Sequence, residues 1–392
     1  MKKIQIIITL IFLTSCQTLN NLGITFQLIE EDPRAPTELD TSYNNFLEIA
    51  WSKEVVRPII ELSFLEEKIR PNIFFDLSGG NLYSLNQENL RVFELSSGKL
   101  KNVLPTESDK IMSGITVGYN SYIYSDNEGT LYVHNLSSGD LKWKKELKDL
   151  VISKVLITSK NVFVQTSSDV LYAFDLQAGE QVWSKKAQAP LLSIRGTSTP
   201  VFFEGLIFAN FSNGRLAAIR ATDGIQLWEK PISVIKGSTE LEKLMDSDSP
   251  AVAFNDIVFA ANFNGSLTRF NIRGGEKVFS VDFSTSKPFI LYQDKIIAVN
   301  SDDEIVAFDA INGSELWKNS RYKFRDITAP AVYDDYIYFG DLEGYLHKID
   351  PNTGETLGLQ STRLEAISQI EAFSNKIIAI DSAGSLSVFD LK

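Results

Sequence analysis

Two histidines and one cysteine are all the imidazole and thiol chemistry that the 392 residues carry. That scarcity excludes a disulfide framework, Cys/His zinc clusters and multi-histidine metal centres. His134 stands in the register of Phe174, Phe308 and Ile349, and His347 in that of Tyr172. Both therefore read as packing positions on strands rather than as general bases. Carboxylates are plentiful, with 50 Asp and Glu against 38 Lys and Arg, a formal charge of −12. Clusters such as Asp302-Asp303-Glu304 carry oxygen ligands of the kind calcium takes, yet no spaced ligand loop with its glycine follows. Glycoside hydrolysis needs two convergent carboxylates, and a chain this rich in turn acids leaves that chemistry open. The negative balance repels phosphate backbones and anionic lipid surfaces, which argues against nucleic acid as a partner.

What positions these residues is a repeat of about 40 residues. The stretch Gly129 to Trp143 recurs as Asp169 to Trp183, Gly214 to Trp228 and Glu304 to Trp317. Its turn glycines are Gly98, Gly139, Gly179, Gly224, Gly275, Gly313 and Gly354, spaced by 41, 40, 45, 51, 38 and 41 residues. Eight residues before each stands Leu90, Leu131, Leu171, Leu216, Leu267, Ile305 or Leu346. Four residues after it stands Trp143, Trp183, Trp228 or Trp317, with Phe279 in the fifth copy, whereas Asn102 and Gly358 break the pattern in the first and seventh.

Each unit holds four runs of period-two alternation bounded by turn residues; in the fourth these are 201–203, 206–211, 215–220 and 225–230. One such sheet has too little core to stand alone, and radial stacking buries both of its faces. The expected fold is all-β: an eight-bladed propeller of four antiparallel strands per blade. The eighth copy ends one strand short at Lys392, and the missing strand is supplied from the other terminus, where Leu47 to Lys53 carries the outer-strand pattern around Trp51. N- and C-terminal strands sharing the last blade would close the ring without an open edge. All five tryptophans then share one register, one per outer strand, which fits anchors between neighbouring sheets and not a converging ligand box.

Lys2 and Lys3 precede an apolar run, Ile4 to Leu13, too short to span a bilayer. The following Leu13-Thr14-Ser15-Cys16 resembles the lipobox of bacterial lipoproteins. That resemblance implies a signal peptide at 1–15, lipidation of Cys16 and, with Gln17 rather than aspartate next, sorting to the periplasmic face of the outer membrane. Residues 16–45 read as a polar tether, about 30 Å long as a coil and up to about 100 Å if stretched. The propeller is expected over 46–392.

The unit from Asp169 to Trp183 resembles the pyrroloquinoline-quinone-type β-propeller repeat, and the resemblance covers about seven-eighths of the chain. With the lipobox and eight closed blades, it is similar to the lipoprotein scaffolds of the outer-membrane β-barrel assembly machinery. Two loops are similar to the motifs with which that family binds the periplasmic POTRA domains of the BamA insertase: one from Leu191 to Gly196, the other from Leu244 to Pro250. The partner-binding residues so implied are Leu192, Ile194, Arg195, Asp246 and Asp248. Both loops fall in the two longest spacings, where the chain crosses from one blade to the next. The same face carries Asp126, Glu128, Asp169, Asp302, Asp303, Glu304, Asp341, Glu343 and Asp381, an acid ring that ordinary turn chemistry also explains. Quinoprotein dehydrogenases share the repeat, but many stack the quinone on a vicinal cysteine pair, which this chain lacks. The expectation is a binding scaffold with no cofactor, no metal and no catalytic residue; the alternatives are a quinoprotein-like enzyme and a carbohydrate- or peptidoglycan-binding propeller.

Overall fold

A computed structural model describes residues 33–40, 42, 45–54, 75–85, 89–188, 198–234 and 247–391, and the backbone alone at 60–61 and 68–69. Eight four-stranded antiparallel sheets form the propeller, with a short hairpin, Ile60–Glu61 against Lys68–Ile69, outside them. In blade 4 the strands are Val201–Phe203, Leu206–Phe211, Arg215–Arg220 and Gln226–Pro231, within one residue of the alternation read from sequence. Blade 8 is closed as expected: Leu47–Glu54 pairs with Ser385–Leu391, from Leu47 opposite Leu391 to Glu54 opposite Ser385.

Turn residues set the hairpins. The first and second strands of each blade are joined by two-residue loops, several of them left-handed at both positions, as at Gly79-Gly80, Asp334-Asp335 and Ser374-Asn375. That is the twist a right-handed hairpin demands. Between third and fourth strands an Asp or Asn side chain accepts the next amides: Asp175 from Gln177 and Ala178, Asp309 from Ile311 and Asn312. The turn glycine then donates its N–H back to that residue's carbonyl, as Gly179 does to Asp175 at 3.0 Å.

The core lies between blades. Phe208, Leu216 and Ala218 of blade 4, for instance, pack against Val258, Ala260 and Phe270 of blade 5. Across these joints the indoles clasp neighbouring sheets. Trp51, Trp143, Trp183, Trp228 and Trp317 each donate Nε1–H to a turn carbonyl of the next blade: Leu95, Leu176, Ala221, Ile272 and Pro351, at 2.7–3.0 Å. The turn glycine lies flat on the ring; a Cβ at Gly224 would stand 2.7 Å from Trp183, and one at Gly179 2.6 Å from Trp143.

A one-residue bulge precedes the clasp position in every blade, for example between Ala173 and Phe174, where Ala173 faces Trp183 and Phe174 faces Gln181. The bulge re-aims the outer strand so that the indole turns inward while the skipped residue faces solvent. Val182, Leu227, Val278, Leu316 and Leu357 are accordingly all about half exposed.

Joints without an indole use other rings. Phe279 covers Gly313, and Phe46 covers Gly358 where blade 7 meets blade 8. Between blades 1 and 2, Leu104 and Pro105 lie on Gly139, and the Tyr122 hydroxyl reaches the carbonyls of Pro105 at 2.7 Å and Gly139 at 3.2 Å.

Candidate partner interface

The crossings between blades and the turns between second and third strands share one face of the disc. Its two long crossings, 3→4 and 4→5, flank blade 4. Leu192, Ile194 and Arg195 on the first, and Asp246 on the second, lie outside the described residues, as does the lipidation candidate Cys16. Asp248 is described, half-buried between the buried Ser247 and Ser249.

The feet of both crossings are fixed by polar bonds, buried at the second crossing and exposed at the first. Gln165 of blade 3 donates from Nε2 to the Asn210 carbonyl at 2.7 Å, and Asn210 of blade 4 donates from Nδ2 to the Ser249 carbonyl at 2.6 Å. This relay runs directly from blade 3 through blade 4 to the second crossing. On the first, Asn213 Nδ2 holds the Gln188 carbonyl at 3.0 Å, and Ser198 is buried where the chain re-enters blade 4. On the second, Thr268 Oγ1 donates to the Ile232 carbonyl at 2.7 Å, and Ser233 bonds Asn262 at 2.5 Å. Thus loops of very different length leave from neighbouring, well-anchored positions. Val234, next along the second crossing, is 72% exposed and was not singled out from sequence, where it is one apolar residue in a long loop.

The acid ring resolves into turn chemistry. Asp126 accepts the amides of Glu128 and Thr130, Asp341 those of Glu343 and Tyr345, and Asp381 that of Ser385. Asp303 is paired with Lys287 at 2.6 Å, Glu304 with Lys318 at 2.6 Å, and Asp302 approaches Lys323 at 3.7 Å. The lysine charges therefore already meet the acidic cluster that resembled a cation site. Among the described residues, no group of three or more His, Cys, Asp or Glu is placed to hold a metal ion.

Both histidines are fully buried. His134 is sandwiched between Tyr122 and Tyr124, at 4.6 and 5.6 Å between ring centroids, with Nδ1 3.1 Å from the Gly139 carbonyl. Burial lowers its pKa, so the imidazole is neutral, filling the joint that lacks an indole. His347 also packs, stacked on Phe339 at 4.8 Å, but its Nε2 lies 3.0 Å from Asp341, which Arg325 contacts at 3.0 Å. Burial lowers the His347 pKa despite that carboxylate. Burial works against the Asp341 charge, but the His347 and Tyr345 hydrogen bonds and the Arg325 charge hold its pKa below the ordinary value. Arg325, 2% exposed, also donates to the Thr37 carbonyl at 2.7 Å, while Thr37 bonds the Lys323 carbonyl at 3.1 Å. This buried ionic cluster was not legible beforehand, because its members come from three separate segments.

Comparison with known proteins agrees with this architecture. The family described as outer membrane protein assembly factor BamB matches residues 86–319 and 291–375. The outer membrane protein assembly factor BamB of Shewanella oneidensis is 30% identical over 283 residues, 72% of each chain. The crystal structure of BamB from Moraxella catarrhalis superimposes with a TM-score of 0.77 at 21% identity, covering 88% of this chain and all of that one. A quinohemoprotein alcohol dehydrogenase from Pseudomonas putida shares the fold at a TM-score of 0.65 and 9% identity, over 88% of this chain and 76% of that one.

Proposed function

The chain belongs to the outer membrane protein assembly factor BamB family, and from that membership we propose that it is a non-catalytic scaffold of the β-barrel assembly machinery. In this reading it binds the POTRA domains of the BamA insertase through the 3→4 and 4→5 crossings, is anchored by lipidated Cys16 at the periplasmic face of the outer membrane, and assists barrel insertion. The observation that carries the reading is the Gln165–Asn210–Ser249 relay. It ties blades 3 and 4 to the root of the second crossing, while Asn213 holds the root of the first at the Gln188 carbonyl, which supports a two-loop recognition surface on one face. The carboxylates that a catalytic alternative would recruit are engaged by turn amides and lysines.

In this reading Leu192 and Ile194, two apart in sequence, supply an apolar anchor, with Arg195 as a planar fork for a carboxylate or carbonyl. Asp246 and Asp248 accept from a basic side chain or exposed strand amides. Interfaces of this kind concentrate energy in a few residues, where truncation costs about 2 kcal/mol, about thirtyfold in affinity. Arg195→Ala and Leu192→Ala are expected to weaken binding to isolated POTRA domains by that factor with unchanged melting temperature. Unchanged affinity with a lowered melting temperature would make these residues braces of the loops and not an interface.

A further inference from the structure

The face opposite the crossings, where the hairpins between first and second strands surround the mouth of the central channel, carries a pattern that the partner reading does not use. In five consecutive blades, 4 to 8, the last residue of the inner strand is aromatic: Phe203, Phe254, Tyr292, Tyr333 and Phe373. At the same position blades 1 to 3 have Ser78, Gly118 and Thr158, and their hairpins form equally well. The rings are therefore not needed to make the turn. Phe203, Tyr292 and Tyr333 are half-buried and pack partly against the inter-blade core, whereas Phe254 is 51% and Phe373 39% exposed, and Phe202 beside Phe203 is 43% exposed. All five thus keep some apolar surface in solvent along one arc, most of it at Phe254 and Phe373.

The tips of the same hairpins bear Glu204, Asp256, Asp294, Asp334 and Asp335, all exposed. Asp294 is paired with Lys295 and Asp334 lies within the field of Lys348, but Glu204 and Asp256 make no salt bridge among the described residues. Tyr292 donates its hydroxyl to Asp335 at 2.7 Å, tying the tips of blades 6 and 7 together, so part of the arc is set before anything binds. Within it, Lys348 already lies over the ring of Tyr336, its Nζ 3.6 Å from the centroid. Lys348 also feels the charge of Asp334, which leaves Glu204 and Asp256 as the tip acids with no cationic neighbour among the described residues; aromatic faces beside such carboxylates select a cation carried on an apolar backbone.

We propose that this arc is a second binding surface, independent of the crossing loops, whose occupant is an extended polypeptide segment in which lysine or arginine alternates with aromatic or aliphatic side chains. Charge complementarity decides the class: the carboxylates that attract such a segment repel nucleic acid and anionic lipid. The rings then receive the apolar side chains, and the tip acids the cations.

The test uses the mature full-length chain and a fluorescein-labelled 14-residue peptide of alternating lysine and tyrosine, with a glutamate–tyrosine peptide as control, read by anisotropy. The lysine peptide should bind, with affinity falling as salt is added. Phe254→Ser/Phe373→Ser and, separately, Glu204→Gln/Asp256→Asn/Asp334→Asn should each weaken it at least tenfold with unchanged thermal melting. The matched neutralisation Glu107→Gln/Asp109→Asn/Glu128→Gln, on the crossing face, should leave it unaltered. Equal binding of the glutamate peptide, insensitivity to both arc variants, or an equal loss with the crossing-face variant would overturn the proposal, the last by reducing the binding to overall charge.

Discussion

If the tryptophan clasp holds blade to blade, the cost of adding one carbon at a turn glycine must depend on the indole in the preceding blade. Gly224 sits at φ +73°, and a Cβ there would stand 2.7 Å from both Cγ and Cδ2 of Trp183. Gly224→Ala therefore meets two penalties: about 1–2 kcal/mol for a left-handed L-residue and about 1–3 kcal/mol for overpacking against the ring. Trp183→Ala alone should cost about 3–5 kcal/mol, and it leaves the Ala221 carbonyl without its 3.0 Å indole donor. In that background the overpacking vanishes and only the backbone penalty survives. A double-mutant cycle should thus give a coupling of about 1–3 kcal/mol, with Gly224→Ala milder when the indole is gone. Urea unfolding followed by far-UV circular dichroism measures it without relying on the deleted fluorophore. An equal cost of Gly224→Ala in both backgrounds, within about 0.5 kcal/mol, would refute the clasp as the source of inter-blade stability.

Deleting Leu47–Glu54 should expose the whole edge of Ser385–Leu391, lower the melting temperature sharply and promote association; a truncated chain that melts like the parent would contradict closure by the N-terminal strand. The buried histidines predict a pH dependence. Burial keeps His134 neutral in the fold, whereas in the unfolded chain it takes up a proton below about pH 6.5. Stability should therefore be level above that pH and fall as pH drops through the lowered folded value. His134→Phe, matching Phe174 and Phe308, should lose less melting temperature than the parent between pH 7.5 and 5.5; equal losses would exclude the mechanism. For the anchor, mass spectrometry of the mature native chain should find a lipidated Cys16, and Cys16→Ala should abolish lipid labelling.

Blade number, strand order and ring closure were legible because one pattern recurs: a turn glycine, a leucine eight residues before it and an aromatic four after. Repetition averages out the ambiguity of any single short strand. The bulge was not legible, since skipping one residue leaves hydrophobic alternation intact up to the indole and merely exposes Val182 or Leu227. Nor was the relay through Asn210, which joins residues 45 and 39 positions apart. His347 was read correctly as packed, but its bond to Asp341 depends on a turn folding back six residues away. The acid ring shows the reverse case, in which a concentration of charge visible in sequence is taken up by turn amides and lysine partners.

This propeller is proposed to be an assembly scaffold acting through its two long crossings. The most direct test is recovery of the chain from detergent-solubilised outer membrane with its bound proteins identified, comparing the parent with Leu192→Ala/Arg195→Ala at matched melting temperature. The parent is expected to bring down the barrel insertase, and the variant to lose it. Equal recovery of the insertase by both, or its absence from the parent sample, would overturn that role for the crossings.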